Sequence, residues 1–259
     1  GTHATGAFVL DAKKGIRYYK LPVPASRMVK TGEWFALLDM LNTDTVAIIG
    51  HVRFATKGST SVTENNHPIV MNNIIGVHNG IITNDCELCE KYPYEQEVDS
   101  AAVFATIEHF AKKSRVSTET IAKALPKIKG NFAIMLADNR RTDSVFIARD
   151  GSRPIVHYKD VEEKLLWLSS TGDILRKGLK RAVYPTMLPP YSVARLSVAH
   201  ADKSDIKTIS WWEAPKITSI STVNKNTIYT KQDSWLESLG FSLSDEYADE
   251  YSEESIYNA

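Results

Sequence analysis

The stretch from Gly50 to Gly80 constrains the fold more than any other part of the chain, because it holds two apolar runs that each end in polar side chains. The first run, residues 45–49, leads into residues 50–56, which include an arginine. The second run, residues 74–77, leads into residues 78–80, His-Asn-Gly. Short apolar runs bounded in this way are typical of buried strands. Hydrogen-bonding groups at the ends of two buried strands predict a functional site.

The order of the remaining predicted elements indicates the fold class. A hairpin is predicted at residues 7–19 and two short helical segments lie between residues 26 and 41. Longer helices are predicted to begin near Asp99 and Ser117. Five strands with one short basic helix follow between residues 131 and 197, and an edge strand is predicted at 205–212. Strands, then helices, then strands favour layers of the α+β class over alternating βαβ units.

Length and composition exclude the more unusual classes of protein. With 259 residues and 43% hydrophobic content, the chain suits one large domain or two small ones. No apolar run approaches the ~20 residues that span a bilayer, and the N-terminus lacks the pattern of a signal peptide. We therefore expect a cytoplasmic protein with no membrane segment.

The charges are distributed unevenly along the chain. Eight acidic residues follow Lys231 without a single Lys or Arg, which leaves residues 1–231 with a basic surplus. We expect residues 199–231 to form an edge strand and a polar extension, and residues 232–259 to form an acidic, mobile tail that could contact a protein partner. The basic surplus is the only support for a nucleic-acid-associated module, so a nucleic-acid partner is not expected.

The polar residues at the strand ends suggest recognition of an amino acid. Arg53 offers a planar fork for a carboxylate, and an acid such as Asp99 suits an ammonium group. Asn79 and Gly80 offer an amide side chain and a backbone N–H, the donors that an oxyanion hole needs. Thr56 adds a further hydrogen-bonding group. Acyl transfer also needs an activated nucleophile, and residues 59–61 read as ordinary loop residues.

The cysteines and histidines do not fit a metal or redox site. Cys86 and Cys89 form a CxxC pair, but their acidic neighbours would raise the pKa of a thiol, so ordinary packing is favoured. The spacing of His51, His67 and His78 fits no tight ligand motif. We predict no metal and no cofactor.

Several motifs occur in an order that resembles a known family. GHVRFATKGS, NNHPI, VHNGIITN and EVDS resemble the glutaminase domain of class II glutamine amidotransferases, which are N-terminal-nucleophile hydrolases. Similarity at residues 1–6, 129–133 and 148–154 extends the resemblance over roughly residues 1–198. The resemblance implies a four-layer αββα sandwich and a glutamine amidotransferase type 2-like domain at residues 1–198.

The resemblance also assigns roles to individual residues. It implies that glutamine is the substrate and that an oxyanion forms during its hydrolysis. Six residues receive roles: Arg53 binds the α-carboxylate of glutamine, Asp99 its α-ammonium, Phe54 and Thr56 assist in substrate binding, and Asn79 with Gly80 holds the oxyanion. Phe54 replaces the commoner Trp, Lys57 stands where His is frequent, and His3 occupies the usual Asp position.

The family's nucleophile does not match any residue of this sequence. In the family, an N-terminal cysteine attacks the amide, its own α-amine acts as base, and ammonia passes to a second site. This cysteine lies a few tens of residues before the motif matched by residues 1–6, so we expect the N-terminal segment that carries it to precede Gly1. Cys86 is internal and has no free α-amine.

Three interpretations of the function remain open. The first is a domain that hydrolyses glutamine to glutamate and ammonia, with the ammonia-accepting synthase on a separate chain. The second is a catalytically inactive descendant that serves as a structural or assembly protein, with residues 232–259 as a contact. The third and weakest is the nucleic-acid-associated module.

Overall fold

The first sheet is built around a strand that is buried on both faces. The computed structural model describes residues 2–197 and 208–210. Strand β1 (Ala4–Asp11) is buried along its whole length. It pairs antiparallel with β2 (Gly15–Leu21) on one side and with β3 (Thr45–Arg53) on the other, in the order β2-β1-β3. Burial on both faces explains the run of apolar residues in β1.

The second sheet is larger and entirely antiparallel in its pairing. Its order is β12-β11-β7-β6-β5-β4, so β5 and β6 lie next to each other near one side. The strands are β4 (Ile69–Met71), β5 (Ile74–Ile82), β6 (Gly130–Asp138), β7 (Arg141–Arg149), β11 (Ser192–Ser197) and β12 (Thr208–Ser210).

The strands of a third, smaller sheet lie between β7 and β11 in the chain order. It has the order β10-β8-β9, with β8 (Val156–Asp160) at its centre, β9 (Leu165–Ser169) and β10 (Thr186–Met187). Strand β9 pairs with β8 on one side. Strand β3 likewise pairs with β1 on one side. Among the described residues, therefore, β3 and β9 each leave one edge without a neighbouring strand.

Six helices lie on the outer faces or at the ends of the sheets in the described part of the chain. The helix α2 begins after Thr31, whose hydroxyl accepts a hydrogen bond from the Trp34 N–H at 3.2 Å. Ser117 caps α5 in the same way through the Thr120 N–H. Such N-caps stabilise a helix by about 1 kcal/mol. The helices are α1 (Ala25–Met28), α2 (Gly32–Leu38), α3 (Asp85–Lys91), α4 (Asp99–Ala111), α5 (Thr118–Ala124) and α6 (Gly172–Leu179).

The alternation of side chains along the strands produces the layers. Phe8, Leu10 and Ile49 of the first sheet pack against Ile75 and Val77 of the second. The opposite face of the first sheet packs against α1 and α2 through a second apolar cluster. The opposite face of the second sheet packs against α4 and α5 in the largest cluster. The order helix, sheet, sheet, helix confirms the predicted αββα sandwich.

Part of the predicted domain organisation lies outside the described residues. Strand β12 falls within the predicted strand at 205–212. Residues 198–207 and 211–259 are not described, so the boundaries at 198 and 231 and the acidic tail remain predictions. None of the described helices combines the length and the apolar character that crossing a membrane requires.

Gly76 provides a test of the packing between β5 and α4. An added Cβ at this position would lie 2.3 Å from Cε1 of Phe104 and 2.9 Å from the carbonyl oxygen of Met135. Since Phe104 is fully buried, it cannot move into solvent. Gly76→Ala should therefore lower the free energy of unfolding by about 1–3 kcal/mol, measured by urea denaturation.

The matched control is Gly178→Ala. No atom lies within 4 Å of an added Cβ at Gly178, which is in the last turn of α6. The same substitution should there be neutral or stabilise by up to about 1 kcal/mol. Equal destabilisation by the two variants would show that the close approach of α4 to β5 does not limit the size of residue 76.

Candidate active site

One cleft brings together the residues to which the sequence assigned a role in the site. Its volume is about 2030 Å³, and its walls include residues of β3, β5 and β9. The cleft is lined by all six predicted site residues, namely Arg53, Phe54, Thr56, Asn79, Gly80 and Asp99. The spatial grouping is thus established by the fold, whereas the role of each residue remains a prediction.

Strand alternation separates the functions of neighbouring residues on β5. His78 faces the helical layer, where its Nδ1 lies 2.8 Å from the Ser100 hydroxyl on α4. Asn79 points to the opposite face, is exposed, and makes no side-chain hydrogen bond to any other described residue. His78 therefore anchors α4 to the sheet, and the Asn79 amide is available to a ligand in the cleft.

Gly80 occupies a position that no larger residue could take. Its φ is +149°, and an added Cβ would lie 1.9 Å from the backbone oxygen of Asn131. The next N–H, that of Ile81, donates to Oδ1 of Asn131 at 3.1 Å. The Asn131 side chain thus fixes the peptide that follows Gly80 at the end of β5.

Asp99 is the first residue of α4 and is held from two sides. Its Oδ2 accepts a hydrogen bond from the Ile82 N–H at 2.7 Å, and the neighbouring Ser100 is bonded to His78. Its Oδ1 has no hydrogen-bond partner elsewhere in the described ranges. The carboxylate is 8% exposed and lines the cleft. Its free oxygen is therefore available to a cation.

The guanidinium of Arg53 is buried and held along one side by a loop. Nη1 donates to Oδ1 of Asn66 at 2.7 Å, and Nη2 donates to the carbonyl oxygens of Lys57 at 2.5 Å and Gly58 at 3.1 Å. Burial lowers the pKa of Arg53, while the negative charge of Asp99 opposes that effect. The opposite charges of Arg53 and Asp99 thus influence each other across the cleft wall.

The sequence patterns did not identify Asn66 as a residue that holds Arg53. It is fully buried, and its Nδ2 donates to the carbonyl oxygen of Thr60 at 2.7 Å. The NNHPI motif was the available signal, but nothing in a pair of asparagines before His-Pro shows that one of them reaches an arginine thirteen residues earlier in the chain.

The segment after Arg53 is fixed at two points. Nδ1 of His3 accepts a hydrogen bond from the Ala55 N–H at 2.9 Å, and the His3 ring stacks 4.7 Å from that of Phe54. The ammonium of Lys57 forms an ion pair with Asp85 on α3. Between these ties, Phe54 is 70% exposed and Thr56 is exposed at the cleft wall.

Three histidines in the cleft carry buried ring nitrogens with no partner among the described residues. The rings of His51 and His67 lie 4.1 Å apart, and the orphaned atoms are Nδ1 of His51, both nitrogens of His67 and Nε2 of His78. Burial lowers the pKa of His51 to about 4 and that of His67 well below its ordinary value. Both rings are therefore neutral near pH 7. In the described ranges, no three His, Cys, Asp or Glu side chains form a candidate metal site.

The described cysteines and the buried serine do not supply an obvious nucleophile. Cys86 is exposed and Cys89 is half-buried on α3, and neither lines the cleft. Ser100 is bonded to a histidine, but it is 4% exposed and its partner His78 is 3% exposed. Both residues line the cleft, but the hydroxyl of Ser100 is engaged with His78 and this pair joins α4 to β5.

Comparison with known proteins identifies the family. Residues 51–177 match the model of a glutamine amidotransferase domain. The chain is 32% identical over 124 residues to glutamine–fructose-6-phosphate aminotransferase (isomerizing) of Bacillus subtilis, covering 46% of this chain and 21% of that protein. The protein of the same name from Buchnera aphidicola is 28% identical over 191 residues, which cover 71% of this chain and 30% of the relative. The matched region thus spans less than a third of these relatives.

A solved structure shows the same fold. Glutamine phosphoribosylpyrophosphate amidotransferase from B. subtilis superimposes with a TM-score of 0.62 at 18% identity, covering 83% of this chain and 44% of the other. The architecture is that of an N-terminal-nucleophile hydrolase. The chain therefore carries a domain of the class II glutamine amidotransferase family, as the motifs predicted.

The buried histidines make stability sensitive to acid. Because the pKa of His51 is lowered from 6.5 to about 4, the unfolded chain binds a proton in this interval that the folded chain does not. The free energy of unfolding should therefore fall as the pH decreases from 6.5 to 4, by at most about 1.4 kcal/mol per pH unit for this residue. His51→Phe should give a shallower dependence in denaturant titrations across the interval.

The control for this prediction is the same substitution at an exposed histidine. His109 lies on the surface of α4, and His109→Phe removes an imidazole without touching the cleft. Parallel pH dependences for wild type and His51→Phe would contradict the assignment of a buried neutral ring at His51.

Proposed function

We propose that the domain hydrolyses glutamine to glutamate and ammonia through the thiol of an N-terminal cysteine in a segment that precedes Gly1. The observation that carries this proposal is the cleft wall, where a buried guanidinium and a buried carboxylate stand near the exposed amide of Asn79. Opposite charges of this kind match the two charged groups of an amino acid.

The two charges support one orientation of glutamine in the cleft. Arg53 is held by Asn66 and two carbonyls on one side, so its remaining N–H groups can face the α-carboxylate of the substrate. The free oxygen of Asp99 accepts from the α-ammonium. Phe54 and Thr56 are exposed at the same wall and can contact the bound amino acid.

The chemistry then requires donors for a developing negative charge. The cysteine thiolate attacks the amide carbon, the carbonyl oxygen becomes an oxyanion, and Asn79 Nδ2 with the Gly80 N–H donates to it. Collapse of this intermediate breaks the C–N bond, and the protonated nitrogen leaves as ammonia. Water hydrolyses the resulting thioester to glutamate and restores the thiol.

Two free sheet edges support a place for the segment that carries the nucleophile. Strands β3 and β9 both line the cleft, and each has an edge without a neighbouring strand in the described structure. On the outer face of β3, Ile48 and Val52 are 46% and 45% exposed. One extended segment could pair with both edges and cover these side chains, since unpaired strand edges readily accept another strand.

The orphaned imidazole nitrogens also favour an additional segment. Buried ring nitrogens without partners are uncommon in folded proteins, and those of His51 and His67 lie in the same cleft. Backbone groups of an inserted strand, or water ordered by it, would satisfy them.

The acceptor of ammonia is part of the proposal. The relatives named above carry a fructose-6-phosphate aminotransferase name, but the matched stretch covers only 21% and 30% of their length. We propose that a synthase takes up this ammonia. The inactive assembly protein is the alternative outcome of the experiment below.

The test measures glutamate released from glutamine by the complete protein encoded with its upstream residues. Arg53→Ala and Asp99→Ala should each lower kcat/KM by about 100-fold or more, because each leaves a charge without its partner. Cys86→Ala is the control and should retain full turnover, since Cys86 does not line the cleft. Loss of turnover in Cys86→Ala, or no turnover by a wild-type protein that begins with Met-Cys, would refute the proposal.

The proposed position of the upstream segment, which carries the nucleophile, can be tested separately. Hydrogen exchange of the complete protein should show slower exchange in β3 and β9 than the chain that starts at Gly1, whereas the central strand β1 should be unchanged. Equal exchange of β3 in the two proteins would place the upstream segment elsewhere.

A further inference from the structure

A row of three residues crosses the first sheet beneath the loop that holds Arg53. Gly6 of β1 pairs with Lys20 of β2 on one side and with His51 of β3 on the other. Paired residues point to the same face of a sheet, and this face looks toward the second sheet. The residues at 64–68 cross over this row, with the His67 ring stacked on that of His51.

Gly6 allows the loop to approach the sheet closely. An added Cβ at Gly6 would lie 2.1 Å from the carbonyl oxygen of His67 and 2.7 Å from Cβ of Lys20. The missing side chain thus leaves the space in which the backbone at 66–68 lies against the sheet. Lys20 is the neighbour of this space on β2.

The ammonium of Lys20 is buried against backbone carbonyls of the same loop. Nζ donates to the carbonyl oxygens of Asn66 at 2.8 Å and Pro68 at 3.0 Å, and reaches that of Glu64 at 3.5 Å. Lys20 is 9% exposed, and burial lowers its pKa to about 8. An ammonium has three donors, and the loop supplies three carbonyl oxygens to accept them.

The same loop presents the side chain that holds the predicted carboxylate anchor. The backbone of Asn66 accepts from Lys20, and Oδ1 of Asn66 accepts from Nη1 of Arg53. The Asn66 side chain also donates to Thr60 and is fully buried, so it cannot follow Arg53 independently of its backbone. Any shift of this backbone therefore moves the group that orients Arg53.

We propose that Lys20 is a positioning residue for Arg53: it fixes the backbone at 64–68, and through Asn66 it sets the orientation in which the guanidinium meets the substrate's carboxylate. This inference rests on the proposed function, because it takes Arg53 as the carboxylate anchor. Lys20 itself does not line the cleft, so it acts through Asn66 and not by contact with substrate.

Among the described residues, no donor other than Lys20 forms a hydrogen bond with these carbonyl oxygens of the loop at 64–68. Loss of the ammonium would leave the oxygens of Asn66 and Pro68 without this partner. Unpaired buried carbonyls move toward water or toward another donor. Arg53 would then be tilted, and affinity for a carboxylate would fall while the oxyanion donors on β5 stay in place.

The main experiment compares Lys20→Met with Lys30→Met in the complete protein. Lys30 is exposed after α1 and is the matched control. Lys20→Met should raise KM for glutamine by about 10-fold to 100-fold with kcat within about twofold, because a small misplacement of a positioning group weakens binding. Hydrolysis of a primary amide that lacks the α-carboxylate should be equal in the wild type and both variants.

A second set of variants separates positioning from general support of the fold. Lys20→Arg keeps a cation and should restore part of the KM. Asn66→Ala should raise KM as Lys20→Met does, and the double variant should be no worse than the poorer single variant, since both act along one route. If Lys20→Met does not fold, Lys20→Gln, which keeps one amide donor, takes its place in the same comparison.

Two results would overturn the inference. One is an unchanged KM for glutamine in Lys20→Met or Lys20→Gln. The other is a parallel loss of activity toward glutamine and toward the amide without the carboxylate, which would show a purely structural role. If Arg53→Ala leaves KM unaffected, the proposed function itself fails; if Arg53→Ala raises KM and the Lys20 variants do not, only the role of Lys20 fails.

Discussion

The burial of the Arg53 guanidinium is the constraint around which the cleft is organised. A buried cation is costly unless its donors are satisfied and a counter-charge is near. Asn66 and two carbonyls satisfy one side of the group, and Asp99 provides the counter-charge. These partners come from a loop and from the start of α4, so the burial of one side chain links three separate segments of the chain.

The period of two along β5 allows one strand to serve both the core and the cleft. His78 and Gly76 face α4, where one bonds to Ser100 and the other makes room for Phe104. Asn79 faces the cleft. The residues of β5 that contact α4, the helix that carries Asp99, therefore alternate along the strand with the predicted oxyanion donors. Errors of register in β5 would displace both sets of groups at once.

Much of the fold follows from local signals in the sequence. Ser117 caps α5 and Pro126 lies where that helix ends in a 3₁₀ turn, Leu125–Lys127, as the capping and proline rules predict. Strand β9 falls within residues 131–197, where the sequence predicts strands. The short elements α3, β4 and β10 were not predicted, because two to seven residues give too little periodicity to separate them from loops.

The residues of the candidate site also differ in whether local sequence could reveal them. The six residues of the cleft wall were found because motif order grouped them. Asn66 and Lys20 were missed because their significance depends on contacts across the fold: the Lys20 ammonium meets a carbonyl 46 residues later in the chain. No pattern in a strand such as β2 distinguishes an inward lysine that meets carbonyls from one on a solvated edge.

A chain of contacts among the described residues holds Arg53 in place. Lys20 holds the loop, the loop holds Arg53 through Asn66, and the charge of Asp99 acts on Arg53 while α4 is tied to β5. None of these bonds involves Cys86, Cys89 or any other thiol. In the proposed function, recognition of the amino acid and supply of the nucleophile are therefore physically separable: the first would rest on these buried hydrogen bonds, and the second on a segment at the free edges of β3 and β9.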